Sequence, residues 1–148
     1  MLEQLIKCLH LIGGTVFLGI TIASYFYISY SKSDQKLRLF ALKTSLLGDI
    51  LIALIIVLQY ITATLLVKLN HLSFATPWII VAYIAFSLVS FCWLVNVIIK
   101  VHNVRLTNGF QYNKLFHAMH MLIILVFILI IHDAVMQKTY FNFLFPGH

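Results

Sequence analysis

Four long, continuously apolar stretches dominate the sequence and restrict what the chain can fold into. They cover about residues 5–30, 45–67, 78–99 and 115–132, and each is long enough to cross the roughly 30 Å hydrocarbon core of a bilayer as a helix. Apolar and polar residues do not alternate along them, which excludes a lipid-facing β-barrel. The sequence therefore predicts an integral membrane protein whose function resides in the helices, the short loops or a partner.

Composition is consistent with a single membrane domain. Of the 148 residues, 62% are hydrophobic and 9% are charged, and the mean hydropathy of +1.01 is far above that of soluble domains. The sequence has neither repeats nor linkers rich in Pro or Gly, so residues 1–148 are predicted to form one integral membrane domain. The aromatic tail, residues 135–148, is expected to lie at the level of the lipid headgroups.

Basic residues lie mainly on one side of the predicted helices. The first and third connections contain seven of them, Lys32, Lys36, Arg38, Lys43, Lys100, Arg105 and Lys114, against Lys7, Lys68 and Lys138 on the other side. Lysine and arginine favour the cytoplasmic side, and short connections favour antiparallel neighbours. The predicted fold class is all-α: a four-helix transmembrane bundle, up-down-up-down, with both termini outside (periplasmic), in a bacterial inner membrane.

This topology also bears on the expected partners. It accounts for the net charge of +6, so the basic residues give no reason to expect nucleic acid. Lipid is the expected partner of the apolar surface, and a homo-oligomer is left open.

The fourth span, KLFHAMHMLIILVFILIIHD, contains three histidines. Imidazole in hydrocarbon is costly unless it is paired, so such residues usually face the interior of a bundle. A rotation of 100° per residue places one stripe on this helix: His117, Met121, Ile124, Ile128 and His132. The two histidines are separated by 15 residues, or about 22 Å. The pattern predicts ligands in two layers, one near each membrane face.

The first span has a matching face. Rotation from His10 aligns small and hydroxylated residues, which are typical of helix interfaces in membranes: Gly14, Phe17, Thr21 and Ser24, with Gly13 beside them. His10 is therefore expected to point inward, at the level of His132. Two facing imidazoles can hold the iron of haem b, without covalent attachment because there is no C-x-x-C-H motif. Gly13 and Gly14 would leave space for a flat macrocycle, or would allow close helix packing.

On the inner side, His117 and His102 form a second candidate pair of axial ligands, so the sequence is compatible with one haem or two. Asp49, early in the second span, has three interpretations. It could orient an imidazole or relay protons. The third interpretation is a salt bridge with a basic residue near the interface: Arg38, Lys43 or Arg105.

Copper is the competing metal. The run HAMHM offers imidazole and thioether groups, which suit Cu(I), from His117, Met119, His120 and Met121. Helical geometry turns Met119 about 160° away from His117, so these groups cannot converge on one ion while the helix is intact. For His120 the expectation is a hydrogen-bonded imidazole rather than a ligand. The usual motifs of soluble enzymes are missing from the sequence, which leaves oxidoreductase as the enzyme class to consider.

The segment KCLHLIGGTVFLGI (Lys7 to Ile20), together with the spacing of the spans, resembles a small four-helix bacterial membrane family related to the copper-resistance CopD proteins. It is also similar to the HemJ-type protoporphyrinogen oxidases, and that resemblance implies haem b with His10 as an axial ligand. The chain continues with ASYFYISYSKS (Ala23 to Ser33), where the HemJ pattern has a tryptophan, a glycine and a Leu-Pro-Arg segment. The architecture also resembles four-helix dihaem b-type cytochromes that exchange electrons with quinone.

Together these patterns favour a haem b-binding membrane electron-transfer protein, similar to a b-type cytochrome. His10 and His132 would be the outer axial ligands, and quinone or a larger membrane oxidoreductase would be the electron partner. Three alternatives stay open. They are a copper-handling or transport protein of the CopD type, a HemJ-like protoporphyrinogen oxidase, and a non-catalytic accessory subunit of a membrane complex.

Overall fold

A computed structural model describes residues 1–31, 34–105 and 114–136. In these ranges four helices account for most of the chain: α1 (Leu2–Tyr30), α2 (Gln35–Leu69), α3 (Pro77–Arg105) and α4 (Lys114–Met136). Each helix is long and apolar enough to cross a membrane. The all-α class and the four membrane-length helices are thus confirmed.

Two helices extend well beyond the apolar spans. Helix α2 begins at Gln35 rather than near residue 45, and α3 continues to Arg105 rather than ending near residue 99. Lys100, which the charge pattern assigns to a loop, therefore lies within α3. This corrects the sequence interpretation, because a helix can continue past its apolar stretch when its polar side chains find partners.

Local sequence explains the ends of the helices that flank the first two connections. The Asp34 side chain accepts hydrogen bonds from the backbone N–H groups of Lys36 (2.8 Å) and Leu37 (3.4 Å), which caps α2. Pro77 is the first residue of α3, where its missing N–H would have no helical partner in any case. The stretch NHLSFATP (Asn70 to Pro77) predicts a turn before the third span, and the structure confirms it.

Two further predictions concern the second half of the chain. The Asn108-Gly109 pair predicts a turn before the fourth span, and it lies outside the described residues. The predicted tail also lies outside them, apart from Val135 and Met136, which belong to α4.

Helix α1 packs mainly against α2, and α3 packs mainly against α4. Side-chain pairs between neighbours run in opposite sequence order: His10 bonds to Thr62, whereas Ser24 bonds to Ser45. Each end of the bundle is named here by one residue. The Asp34 end lies where α1 ends and α2 begins, and the Pro77 end lies where α2 ends and α3 begins.

An apolar cluster fills the middle of the bundle. Its buried members come from all four helices: Phe17, Ile52, Ile55, Val89, Cys92, Ile123 and Phe127. The rings of Phe17 and Phe127 stack with centroids 5.2 Å apart and planes 10° apart. Many other large apolar side chains lie on the outer surface, as expected of helices that face lipid.

The buried faces of α1 and α4 differ in how well the sequence predicts them. On α1, Phe17, Thr21 and Ser24 are buried, as predicted. On α4, the buried stripe contains Phe116, His120, Ile123 and Phe127, whereas Met121 and Ile128 of the predicted stripe are exposed. The predicted stripe is wrong by one residue of rotation, because a helix that is apolar on all sides has no preferred face of its own.

Candidate functional site

The most unusual feature of the bundle is a buried ion pair between α2 and α3. Lys100 Nζ lies 2.7 Å from Asp49 Oδ2, and the two residues are only 1% and 4% exposed. A salt bridge is one of the three interpretations that the sequence allows for Asp49. The partner, however, is not one of the basic residues that the sequence suggests for Asp49. It is Lys100, which lies within α3 rather than in a loop.

The pair lies inside the bundle, towards the Asp34 end. Lys100 precedes the last residue of α3 by five positions, or about 7.5 Å along the axis, and Asp49 is about 21 Å from the start of α2. Helical spacing brings Lys100 onto the same buried face of α3 as Asn96 and Asn103. This face gives the lysine side chain a polar path through an otherwise apolar helix.

Both charged groups have further hydrogen-bond partners. Trp93 Nε1 donates to Asp49 Oδ1 (3.1 Å), and Lys100 Nζ also donates to Ser24 Oγ (3.1 Å). The Ser24 hydroxyl is in turn hydrogen-bonded to that of Ser45. Buried charges are tolerated when they are paired and their remaining hydrogen-bonding groups are satisfied. Residues from α1, α2 and α3 together meet this requirement.

An imidazole from α4 completes this polar layer. His120 is 2% exposed, and Asn96 Nδ2 donates to its Nδ1 (2.9 Å). The expectation that His120 is a hydrogen-bonded imidazole is confirmed. Within the described ranges, Asn96 Oδ1 is buried without a hydrogen-bond partner. We call Ser24, Asp49, Asn96, Lys100 and His120 the Lys100 layer.

The side chains of the Lys100 layer fill the space that they surround. With Thr21, Ile52, Trp93 and Ile123 they line one narrow gap between the helices, and it has no room for even a water-sized molecule. Transfer of a proton between neighbouring groups requires no such room. Any larger ligand would require the helices to move apart.

A second polar contact joins α1 and α4 at the Asp34 end. Tyr25 Oη is 2.6 Å from His117 Nδ1, and the Tyr25 ring also lies near the ring of His120, with centroids 5.7 Å apart. His117, predicted as an inner axial ligand, is thus hydrogen-bonded to a tyrosine. His102, its proposed partner, is exposed on α3.

His10, predicted as the outer axial ligand, bonds within the α1–α2 pair. Its Nδ1 is 2.8 Å from Thr62 Oγ1, and Gln59 Nε2 donates to the His10 carbonyl oxygen (2.8 Å). A Cβ atom at Gly13 would collide with the Gln59 amide, and one at Gly14 would lie 3.5 Å from the ring of Phe127. The space predicted for a macrocycle beside these glycines is therefore occupied by Gln59 and Phe127.

His132, the other predicted outer ligand, lies beside a buried carboxylate. Its Nδ1 is 3.3 Å from Asp133 Oδ1, and the side chains of the two residues are 39% and 4% exposed. Over residues 1–31, 34–105 and 114–136, no group of three or more His, Cys, Asp or Glu side chains could hold a metal ion. Binding of haem b or of copper stays a prediction.

Sequence reasoning missed Lys100, Trp93, Asn96 and Tyr25. A detectable signal exists for two of them, since Asn96 and Lys100 are four residues apart and must share a helical face. Polar residues repeated on one face of a membrane helix usually point into the protein. Trp93 and Tyr25 give no such signal, because both occur widely at apolar helix surfaces.

Four membrane-length helices around a buried ion pair define a multi-pass integral membrane protein with a polar centre. The family model described as "Predicted integral membrane protein (DUF2269)" matches residues 4–137. The chain belongs to this family of integral membrane proteins. No curated protein and no solved structure matches the chain. The relation to CopD and HemJ proteins stays a prediction.

Proposed function

We propose that this protein transfers protons within the membrane, with Asp49 and Lys100 as its buried acid–base pair. The observation that carries the proposal is the 2.7 Å contact between a carboxylate and an ammonium group that are both almost completely buried. Ionisable residues inside a membrane are rare and commonly mark proton or ion pathways.

Energetics favour a function for the pair beyond stabilising the fold. Two charges must lose their hydration to enter the bundle, and their attraction often does no more than balance this cost. Apolar side chains of similar size would hold α2 and α3 together at least as well. A buried ionisable pair that adds little net stability is instead typical of a site that changes its charge or its protonation.

The neighbouring groups suit such a change. Transfer of one proton from Lys100 Nζ to Asp49 Oδ2 converts the charged pair into a neutral pair, and the reverse transfer restores it. The Ser24 hydroxyl can accept from the ammonium group or donate to the neutral amine. His120 lies close by on α4, and its imidazole can accept a hydrogen bond at one ring nitrogen and donate one from the other.

The charge distribution supports one orientation for this pathway. Among the described residues outside the polar centre, five basic side chains lie towards the Asp34 end and two towards the Pro77 end: Lys36, Arg38, Lys43, Arg105 and Lys114 against Lys7 and Lys68. We therefore propose the up-down-up-down topology, with the Asp34 end cytoplasmic and both termini outside, in a bacterial inner membrane. Because Cys8 is an exposed free thiol, the test uses a Cys8→Ser, Cys92→Ala background and labels intact cells with an impermeant maleimide. Ala75→Cys should react and Lys36→Cys should not, and the reverse result would overturn the orientation.

Proton transfer can be measured on the purified protein in liposomes. A potassium gradient with valinomycin drives protons inward, and a trapped pH-sensitive dye reports their arrival. Wild-type protein should acidify the interior faster than empty liposomes. The double variant Asp49→Leu with Lys100→Met should fall to the level of empty liposomes, because both titratable groups are replaced by apolar ones of similar size.

The double variant is informative because it leaves no unpaired charge in the bundle. It should keep the helical content and the elution volume of the wild type, so a loss of flux would report chemistry rather than unfolding. Equal flux in the wild type and the folded double variant would overturn the proposal. That result would favour an accessory subunit, in which polar groups serve helix association only.

Haem-linked electron transfer is the second candidate. The observation that favours it is the His10–Thr62 hydrogen bond at Nδ1, because ligand histidines usually have one ring nitrogen held in this way while the other faces the metal. Haem b would supply one-electron chemistry with quinone or a larger membrane oxidoreductase. Gln59 and Phe127 would first have to move out of the space beside Gly13 and Gly14.

An absorption spectrum of protein produced with ample haem tests this candidate. Haem b would give a Soret band and, after reduction, an α-band, and His10→Ala should remove or shift both. His71→Asn, a substitution in the exposed connection before Pro77, is the matched control. A colourless protein would exclude haem under these conditions, and metal analysis would then test copper.

A further inference from the structure

A hydrogen-bonded tyrosine and histidine join α1 to α4 near the surface of the Asp34 end. Tyr25 Oη is 2.6 Å from Nδ1 and 3.1 Å from Nε2 of His117, and the two rings are 5.0 Å apart between centroids. His117 follows the first residue of α4 by three positions, or about 4.5 Å along the axis. Its imidazole is only partly buried, so this pair lies between the end of the bundle and its interior.

The Tyr25–His117 pair adjoins the Lys100 layer from two directions. Along α1, Tyr25 follows Ser24, whose hydroxyl accepts a hydrogen bond from Lys100. Across the bundle, the Tyr25 ring lies against His120, which lines the same narrow gap as Lys100. Tyr25 therefore contacts both the partly exposed imidazole of His117 and the buried ring of His120.

The chemistry of the pair suits the relay of a proton. Imidazole can bind a proton at one ring nitrogen while it releases another from the second nitrogen, and a phenol hydroxyl both donates and accepts. His117 can take a proton from water and pass one from Nδ1 to the Tyr25 oxygen, while the Tyr25 hydroxyl proton passes to the neighbouring imidazole of His120. One proton arrives and one leaves, so the step needs no other reactant.

The surrounding titratable groups come from three helices. His120 and Lys114 belong to α4, Lys100 projects from α3, and Asp49 projects from α2. His117 and Lys100 are both electrostatic neighbours of His120. Of these groups, His117 is the imidazole with partial access to the surface.

We propose that His117, held by Tyr25, is the proton entrance from the Asp34 end to the Asp49–Lys100 pair. This inference rests on the proposed function, because it assigns a route to the same buried centre. Nothing else needs to bind at His117. Water at the membrane surface is the proton source.

The liposome assay tests this route with His117→Gln, in which the side chain keeps a hydrogen-bonding amide but cannot titrate. The inward proton flux should fall at least about tenfold, since a positioned acid–base group typically contributes that much or more. His71→Asn replaces an imidazole by an amide in the exposed connection before Pro77. That control should keep the wild-type flux.

A second variant distinguishes a loss of proton transfer from a defect in folding. His117→Ala opens space beside Tyr25, and imidazole added to the buffer should restore part of its flux by replacing the missing ring. The same imidazole should have no effect on the Asp49→Leu, Lys100→Met protein. If imidazole restores the proton flux of His117→Ala but not that of the double variant, then His117→Ala lacks a proton carrier and is not misfolded.

The outcomes separate the two proposals. Wild-type flux in His117→Gln would overturn the entrance while leaving the Asp49–Lys100 pair as the proton site. Reduced flux in His117→Ala that imidazole does not restore would also count against the entrance. If the wild type itself conducts no better than the double variant, the proposed function fails and the entrance fails with it.

Discussion

Polar side chains inside the membrane are paired differently at the two ends of this bundle. At the Pro77 end, His10, Gln59 and Thr62 form neutral hydrogen bonds between α1 and α2, and the buried Asp133 carboxylate has the partly exposed His132 imidazole of its own helix beside it. Towards the Asp34 end, the Lys100 layer contains full charges and joins α1, α2 and α3. The comparison separates neutral groups that hold two helices together from a charged layer shared by three helices, to which the proposed function assigns the change of protonation.

Energetics support this distinction. A neutral hydrogen bond between helices contributes modestly and leaves nothing charged when it opens. The ion pair, by contrast, becomes unfavourable as soon as one partner is lost, because the other charge stays buried. The Lys100 layer should therefore be the more sensitive of the two to single substitutions and the less sensitive to a matched double substitution.

The largest expected effect comes from Asp49→Asn. The amide can keep the Trp93 hydrogen bond, but Lys100 loses its carboxylate, and breaking a buried pair in this way destabilises a protein by about 3 to 5 kcal/mol. Thermal unfolding in detergent, followed by circular dichroism, would measure the loss. Asp49→Leu with Lys100→Met should recover most of it. If the single variant were as stable as the wild type, the contrast between the two ends would disappear.

An intermediate effect is expected from Gly13→Ala at the Pro77 end. The new Cβ would displace the Gln59 amide, and a buried amide without its acceptor costs about 1 to 3 kcal/mol. Gly19→Ala is the matched control, since nothing lies within 4 Å of a Cβ atom there. The same unfolding assay should place Gly13→Ala below Gly19→Ala. The opposite order would mean that Gln59 does not hold α1 against α2.

The smallest effect is expected from Thr62→Val, which keeps the side-chain shape but removes the hydroxyl that bonds to His10. The loss should be about 0.5 to 1.5 kcal/mol, the usual net contribution of one hydrogen bond. Thr62→Ser, which retains the hydroxyl, should be closer to the wild type. A loss as large as that of Asp49→Asn would show that the two ends depend equally on their polar groups.

The number of membrane-length helices and the inward face of α1 could be predicted from the sequence. Continuous hydrophobicity sets the number of helices whatever their packing. Small and hydroxylated residues mark a helix interface, as Thr21 and Ser24 do on α1. These features depend on the chain alone, so no knowledge of the neighbouring helices is needed.

The candidate site was less predictable, because its key contact joins residues 51 positions apart. Lys100 has the sequence context of an ordinary cation at the end of a span. It is identified as buried only when α3 is known to continue to Arg105 and to face Asp49. On α4, the choice between His117 and His120 as the buried imidazole depends on which side meets α3, and an evenly apolar helix does not encode that.

A direct test of the central claim is infrared spectroscopy of Asp49 in the membrane-reconstituted protein during a pH titration. The account predicts a carboxylic acid C=O band that grows reversibly on acidification and is absent both from Asp49→Asn and from the double variant Asp49→Leu with Lys100→Met. A carboxylate at Asp49 that never takes up a proton over the whole range in which the protein stays folded would contradict it.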